Sequence, residues 1–449
     1  MEVREAFRRN PRDRAIAALA IPALGTLAID PVVTIVDTAW VARLGTSPLA
    51  ALAIAGAVFA AVFSVFNFVQ VTITPLIAGE IARGNRGKAG QIATGSVWIA
   101  VGLGVAIGTI FVMLTPAITD LFNAESGVAT EAITYLRIRF LAMPFLLTVT
   151  VGHGVYRGHQ DTKTPLYVAI GMNLINLILD PILIFGFDLG VAGAAWATVI
   201  AQAVAAGWFL ILMFGTQKAV LGIGSQGGRI GSLPIGEVLS AGWPMIVRSM
   251  ALLGAVTATT MAASRIGTDQ TAAHQVAMQV WLFLAFVLDS YAIAAQAMVG
   301  TDVGMHDIAR ARKLANRLLA LGLVTGMGLS IVLAVTAPLV PALFDLEPDV
   351  RALLSDIYVF VVVLQPITAL VYVWDGVGIG DSAFGYLAAS MVVAGLATLI
   401  TLILYGDTLV GVWASVGVLI GVRLIALAGW YHFGPLSFGR DPSPSSQGA

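Results

Sequence analysis

Apolar residues run along this chain in twelve long stretches, separated by short clusters of Gly, Pro, Asn, Asp, Lys and Arg. The stretches lie at 15–42, 48–81, 90–119, 131–155, 164–186, 190–214, 236–266, 270–300, 313–341, 351–378, 383–405 and 408–433. Each reaches the roughly 20 residues that a helix needs to cross a bilayer core. The alternation of a barrel strand, about ten residues long, is absent from them. In lipid every backbone N–H and C=O must be satisfied within the segment, so each stretch predicts a helix. The first stretch is longer than the h-region of a leader peptide, about 7–15 residues, and lacks a small-residue cleavage pattern, so it reads as a span.

Composition sharpens this to an all-α polytopic membrane protein of twelve transmembrane helices. Hydrophobic residues make up 58% of the 449, and charged residues only 11%, where soluble chains carry roughly 25%. The polar surface of a cytosolic enzyme is missing, and a net charge of −1 lacks the basic footprint of a nucleic-acid binder. With no cysteine, thiol catalysis, zinc–thiolate sites and disulfides are excluded. Residues spaced to hold a metal are also not seen.

Orientation follows from the loop charges. Sixteen Lys and Arg collect on one side, including Arg4, Arg8, Arg9, Arg12 and Arg14 at the start and Arg83, Arg86, Lys88, Arg310 and Arg312 in the loops after even-numbered spans. The opposite loops hold three, Arg43, Arg265 and Arg351, and gather Asp120, Glu125, Asp188, Asp269, Asp345, Glu347 and Asp349 instead. Both termini are therefore expected in the cytoplasm.

Adding 222 to a residue number in the first half repeatedly finds its match in the second. Pro22 maps to Pro244, Leu44-Gly45-Thr46 to Ile266-Gly267-Thr268, Pro116 to Pro338, Pro144 to Pro366 and Gly158 to Gly380. Slightly later, a shift of 217 aligns Trp196-Ala197-Thr198 with Trp413-Ala414-Ser415. The chain thus predicts a six-helix lobe over 1–214, a cytoplasmic linker over 215–235, a second six-helix lobe over 236–433 and a disordered cytoplasmic tail over 434–449. An even number of spans per lobe makes the repeat parallel, a layout of transporters that bind near the midplane between halves. Gly222-Ile-Gly224-Ser-Gln-Gly227 fits a dinucleotide fingerprint only by spelling, because no strand precedes it.

Acids within spans carry the chemistry, since a charge at the bilayer centre costs at least about 2.5 kcal/mol. Asp37, Asp180, Asp289 and Asp375 are such acids. At about 1.5 Å per residue, Asp37 and Asp180 reach similar depth in the outer half, and Thr198 comes level with them. Asn173, Asn176 and Asp180 share one face of their helix. Pro22 and Pro31 interrupt the first span and free backbone carbonyls there. The reading is a proton- or cation-binding pocket of Asp37, Asn173, Asn176, Asp180 and Thr198, the alternative being interhelical hydrogen bonds that only hold helices together. An aspartate titrates near about 3.9 in water, and burial or a second carboxylate brings it toward neutral pH. The second lobe lacks the same pair, because Asp37 maps to Thr259 and Asp180 to Leu402. There Asp289 and Asp375 suggest a secondary polar site for a cationic substrate, with Arg248 and His153 as further polar lining. A buried pairing of an acid with Arg248, and a hydrogen-bonded helix histidine at 153, are the structural alternatives.

The run from Pro22 to Ala53, Tyr156 to Pro165, Gly193 to Gln202, Ala272-Ala-His274-Gln275, Asp289 and Asp375-Gly376 resemble multidrug and toxic compound extrusion (MATE) transporters, in their DNA-damage-inducible F branch. The resemblance covers nearly the whole chain and implies the inner membrane of a bacterium. It implies two lobes around a central cleft and export of amphipathic or cationic compounds against protons, or sodium, by alternating access. It places the coupling ion at Asp37 with Asn176, Asp180 and Thr198, and makes Pro22 the point where the first helix bends. No other cofactor is expected; the partners are small organic cations, amphipathic drugs and the bilayer, and the chain is taken as a monomer. A flippase for a lipid-linked saccharide is the alternative within the superfamily, although the spans offer few basic residues beyond Arg248 and Arg423 for a pyrophosphate.

Overall fold

The computed structural model describes residues 10–66, 68–122, 124–224, 235–344 and 346–433. Among them every regular element is helical. The helices are α1 (Pro11–Ala42), α2 (Thr46–Phe66), α3 (Phe68–Ala82), α4 (Arg86–Asp120), α5 (Ser126–Leu141), α6 (Met143–Gly158), α7 (Lys163–Pro181) and α8 (Gly190–Ile211). They continue as α9 (Ile235–Ile266), α10 (Thr268–Gly304), α11 (Ile308–Thr336), α12 (Pro348–Val363), α13 (Gln365–Gly380), α14 (Phe384–Tyr405) and α15 (Leu409–Phe433). Ten stretches are long and apolar enough to cross a membrane, and twelve if the bent pairs α5–α6 and α12–α13 each count as one. The boundaries lie within about five residues of those expected from the apolar runs. The linker residues 225–234 and the tail beyond 433 lie outside the described residues.

The two bends were not expected. They are 50° after Leu141 and 47° after Val363, and residues 142 and 364 stand 222 apart. Pro144 and Pro366 follow each break and cannot donate to the carbonyls four residues back, Phe140 and Val362. An orphaned carbonyl in an apolar interior is costly. In the second half the Ser330 hydroxyl donates to the Val362 carbonyl. In the first half the repeat position of Ser330 is Gly108, where a Cβ would stand 2.5 Å from the Phe140 carbonyl oxygen.

The same duplication governs close packing. A Cβ on Gly104 would lie 2.4 Å from the Cα of Pro144, and one on its counterpart Gly326 would lie 2.9 Å from that of Pro366. Gly154 presses on the backbone of Gln70 and Gly376 on that of Ala292, again 222 apart on both sides. Small residues let helix backbones approach where lipid supplies no hydrophobic drive between helices. In the loops at 84 and 306 both halves need a left-handed residue, met by Gly84 (φ 80°) and by His306 (φ 58°).

The chain forms two compact units: residues 21–242, and residues 243 onward together with those up to Ala20. In the first unit α6 packs on α3, α4 and α8, while α5 packs on α2, α4 and α8. In the second, α13 packs on α10, α11 and α15, and α14 on α15. The division is not at the linker. It falls inside α1 and inside α9, after residues 20 and 242, which again differ by 222. The start of α1 is tied into the second unit: Arg317 grips the Asp13 carboxylate at 2.7 Å through two nitrogens, and Arg12 reaches Asp302 at 3.9 Å. The start of α9 is tied into the first, where Glu237 lies 3.7 Å from Lys88. Lys88 also holds the buried Glu80 at 3.1 Å, as Arg310 holds the buried Asp302 at 2.9 Å.

Candidate functional site

In the first unit α1 brings Asp37 against α7, which presents Asn176 and Asp180 one turn apart. Asp180 is fully buried. Its helix closes at Pro181 and continues as a π turn over Ile182–Gly186, an irregularity frequent beside functional groups. Gly193 lets α8 close on that turn, since a Cβ there would meet the Leu183 backbone at 2.7 Å. Thr198 is thereby set beside Asn176.

The carboxyls of Asp37 and Asp180 lie within hydrogen-bonding reach of each other. Two carboxylates so placed repel unless one carries a proton. Oδ2 of Asp180 is buried and receives no donor. Asn176 serves either neighbour according to how its amide is turned. In one orientation its nitrogen stands 3.4 Å from Asp180 Oδ1 and 3.4 Å from Thr198 Oγ1. Reversed, it donates to the two oxygens of Asp37 at 3.1 and 3.3 Å. The Thr198 hydroxyl meanwhile donates to the Ala194 carbonyl at 3.0 Å, which leaves its oxygen as an acceptor. Asp37, Asn176, Asp180 and Thr198 are therefore assembled together.

Asn173 departs from the expected group. Its amide donates to Asp30 Oδ1 at 3.0 Å and to its own Ala169 carbonyl at 2.9 Å, so it is engaged by the acid two turns before Asp37. The two prolines of α1 do not break it: the helix runs 32 residues through Pro22 and Pro31, with Thr26 Oγ1 donating to the Pro22 carbonyl at 3.1 Å. Pro22 nonetheless stands two residues past the division of α1 between the units.

Arg139 and Tyr135, on α5, escaped the sequence reading, which searched the spans for acids. Both stand in the fourth apolar run, four residues apart on one helix face; an interior arginine there was the available signal. Arg139 is only 8% exposed. It donates to Gln202 Oε1 at 3.2 Å, and its guanidinium carbon lies 4.2 Å over the Phe59 ring. Tyr135 reaches Arg139 and feels the charges of Asp37 and Asp180. Among the described residues no Lys or Arg nitrogen comes within 4.0 Å of either carboxylate. Arg43, the nearest cation in sequence, sits over the Trp40 ring at 4.5 Å.

The second unit corrects the expectation for Asp375. Arg248 donates to its Oδ2 at 2.9 Å, and Arg423 donates to the same oxygen. Two guanidiniums on one buried carboxylate leave no negative charge to receive a cation, so the pairing with Arg248 is the arrangement found, with Arg423 added. The two arginines that a pyrophosphate would need are engaged by the same contact. Asp289 shares this neighbourhood through Tyr372, on which Asp289, Asp375 and both arginines act electrostatically. His153 does not join them. It belongs to the first unit, where its ring meets Phe209 edge-on at 5.5 Å and its Nε2 is buried without a partner.

Comparison with known proteins gives a consistent picture. The MatE family model matches twice, over residues 22–182 and 244–406, starting points that differ by 222. The chain is 33% identical over 432 residues to Protein DETOXIFICATION 44, chloroplastic, of Arabidopsis thaliana, covering 92% of this chain and 80% of that one. It is 25% identical over 423 residues to DNA damage-inducible protein F of Escherichia coli strain K12, covering 93% and 91%. A solved structure described as the outward-facing conformation of a multidrug resistance MATE family transporter superposes with TM-score 0.81 at 22% identity, over 96% of this chain and 97% of that one.

Proposed function

This chain belongs to the MATE family of multi-pass membrane transporters, and from that premise we propose that it is an antiporter exporting amphipathic or cationic organic compounds in exchange for protons. The observation that carries the reading is the facing pair Asp37 and Asp180, with Asn176 beside both and no ion pair to either among the described residues. A proton shared by the pair removes the repulsion between α1 and α7; its loss restores it. Asp37 rides on α1, so that change reaches Pro22, where the helix passes from one compact unit to the other. Pro22 lacks the amide that would tie it to the carbonyl of Ala18, which makes this the soft point of the helix. Binding a proton on one side and releasing it on the other biases the bent and straight forms of α1 and so alternates access. A pH gradient supplies about 1.4 kcal/mol per unit, or tenfold accumulation.

The loop charges favour cytoplasmic termini. Their bacterial setting is part of the proposal, since the similar proteins include chloroplastic plant ones. The test is efflux of ethidium from proteoliposomes under an imposed pH gradient and then a sodium gradient. Wild-type protein should respond to the pH gradient, and Asp37→Asn should lose at least about a hundredfold in initial rate while eluting as a folded monodisperse protein. Wild-type rates in that variant, or a response to sodium alone, would overturn the proton reading.

A further inference from the structure

Arg139 poses a question that the carboxyl pair alone does not answer. A guanidinium buried away from water needs a counter-charge, yet Arg139 makes no ion pair with any acid among the described residues; its contacts are the neutral Gln202, Tyr135 and the Phe59 ring. Every element packed around the site can be searched for its balancing charge. α2 (Thr46–Phe66) and α8 (Gly190–Ile211) contain no charged residue, and α4 carries Arg86, Lys88 and Asp120 only in its first and last turns. α5 adds Glu131, two turns away, and Arg137, which is exposed. α7 carries only Asp180 and, at its far end, Lys163. α1 carries Asp37, which feels the charge of Arg139, and beyond it Asp30, engaged with Asn173, and Arg43, over Trp40. The Asp37–Asp180 pair is what remains.

We propose that Arg139 is a positioning residue that keeps one charge of the Asp37–Asp180 pair permanently compensated, so that the site exchanges a single proton in each transport cycle. The inference rests on the proton-coupling reading above and assigns its stoichiometry. With one proton on the pair, the cluster of Asp37, Asp180 and Arg139 is neutral. Adding a second leaves Arg139 unbalanced, and removing the first leaves one net negative charge. A two-proton exchange would swing the buried cluster through both unbalanced states. Gln202 and Phe59 hold the guanidinium at a distance from which it compensates the pair without seizing either carboxylate, which keeps the proton exchangeable.

Two measurements decide it. In proteoliposomes, exchange of one proton for the monovalent cation ethidium moves no net charge. An imposed potential of about 100 mV should then leave accumulation by the wild type unchanged, whereas two-proton exchange would raise it about fiftyfold. Second, the pH midpoint of efflux should move up by about one unit, tenfold in proton concentration, in Arg139→Met. Arg139→Lys, which keeps the charge but loses the planar fork, should restore the wild-type midpoint. A potential-driven wild type, or a midpoint that is the same in Arg139→Met as in the wild type, overturns the proposal. So does Arg139→Lys behaving like Arg139→Met, which is the signature of a residue that only holds α5 to α8. If Arg139→Met does not fold, the potential measurement on the wild type decides alone. Failure of the wild type to respond to any pH gradient would overturn the coupling reading and this one together, an outcome distinct from the others.

Discussion

The two units put opposite chemistry on one scaffold. At repeat positions they share the bend after residues 141 and 363 and the glycines that admit close backbones at 104 and 326 and at 154 and 376. They also share a buried acid held by a basic residue eight positions later, Glu80 with Lys88 and Asp302 with Arg310. Their interior charges diverge. Asp37 and Asp180 become Thr259 and Leu402, while His153 and Thr26 become Asp375 and Arg248. In the first unit two carboxyls face each other with the Arg139 guanidinium held off; in the second a carboxylate is clamped between two guanidiniums. In the first a proton relieves the repulsion of like charges, whereas in the second opposite charges already cancel. A duplicated fold has kept its backbone contacts while setting acids face to face in one copy and an acid between arginines in the other.

That contrast can be broken at its strongest point. Asp375→Asn leaves two buried guanidiniums without a counter-charge, so unfolding in detergent should show a loss of about 3–5 kcal/mol, where Asp37→Asn should change stability little and transport greatly. A loss of stability in Asp37→Asn as large as in Asp375→Asn would mean that both acids are structural. The shared scaffold predicts the reverse symmetry. Gly104→Ala and Gly326→Ala force a methyl into backbone in either unit and should each cost about 1–3 kcal/mol by the same assay; a cost in only one would show that the repeat packing is not equivalent. Removing the hydroxyl in Ser330→Ala orphans the Val362 carbonyl and should cost about 1–2 kcal/mol, seen also as faster hydrogen exchange around Pro366. The smallest effect should come from Glu237→Gln on its contact with Lys88, where both side chains are 43% exposed. Double-mutant coupling between the two should stay under about 0.5 kcal/mol.

Much of this was legible in the order of residues. Twelve spans follow from apolar length, and the acids of the first unit from the cost of burying charge. The bends were not, because the effect of a proline in a span depends on what surrounds its orphaned carbonyl: α1 continues unbroken past Pro22 and Pro31 and α4 past Pro116, while the helices break beside Pro144 and Pro366. The face shared by Asn173 and Asn176 was readable, but their division between Asp30 and Asp37 depends on how α1 lies against α7. Asp375 and Arg423 stand 48 residues apart in sequence, and no periodicity joins them. Arg139 carries a signal of its own, since a cation inside a span is as informative as an acid, but nothing in the sequence pairs it with Gln202, 63 residues away.

The ties at the start of α1 bear on how the chain is made. Asp13 leaves the ribosome early, yet the arginine that grips it, Arg317, lies 304 residues downstream. The opening turns of α1 therefore wait without their native partners until most of the protein has been synthesised, and closing so long a loop carries an entropic cost. The helix that bears Asp37 is begun well before its anchor exists, so nascent chains halted before residue 317 should leave residues 10–19 open to protease.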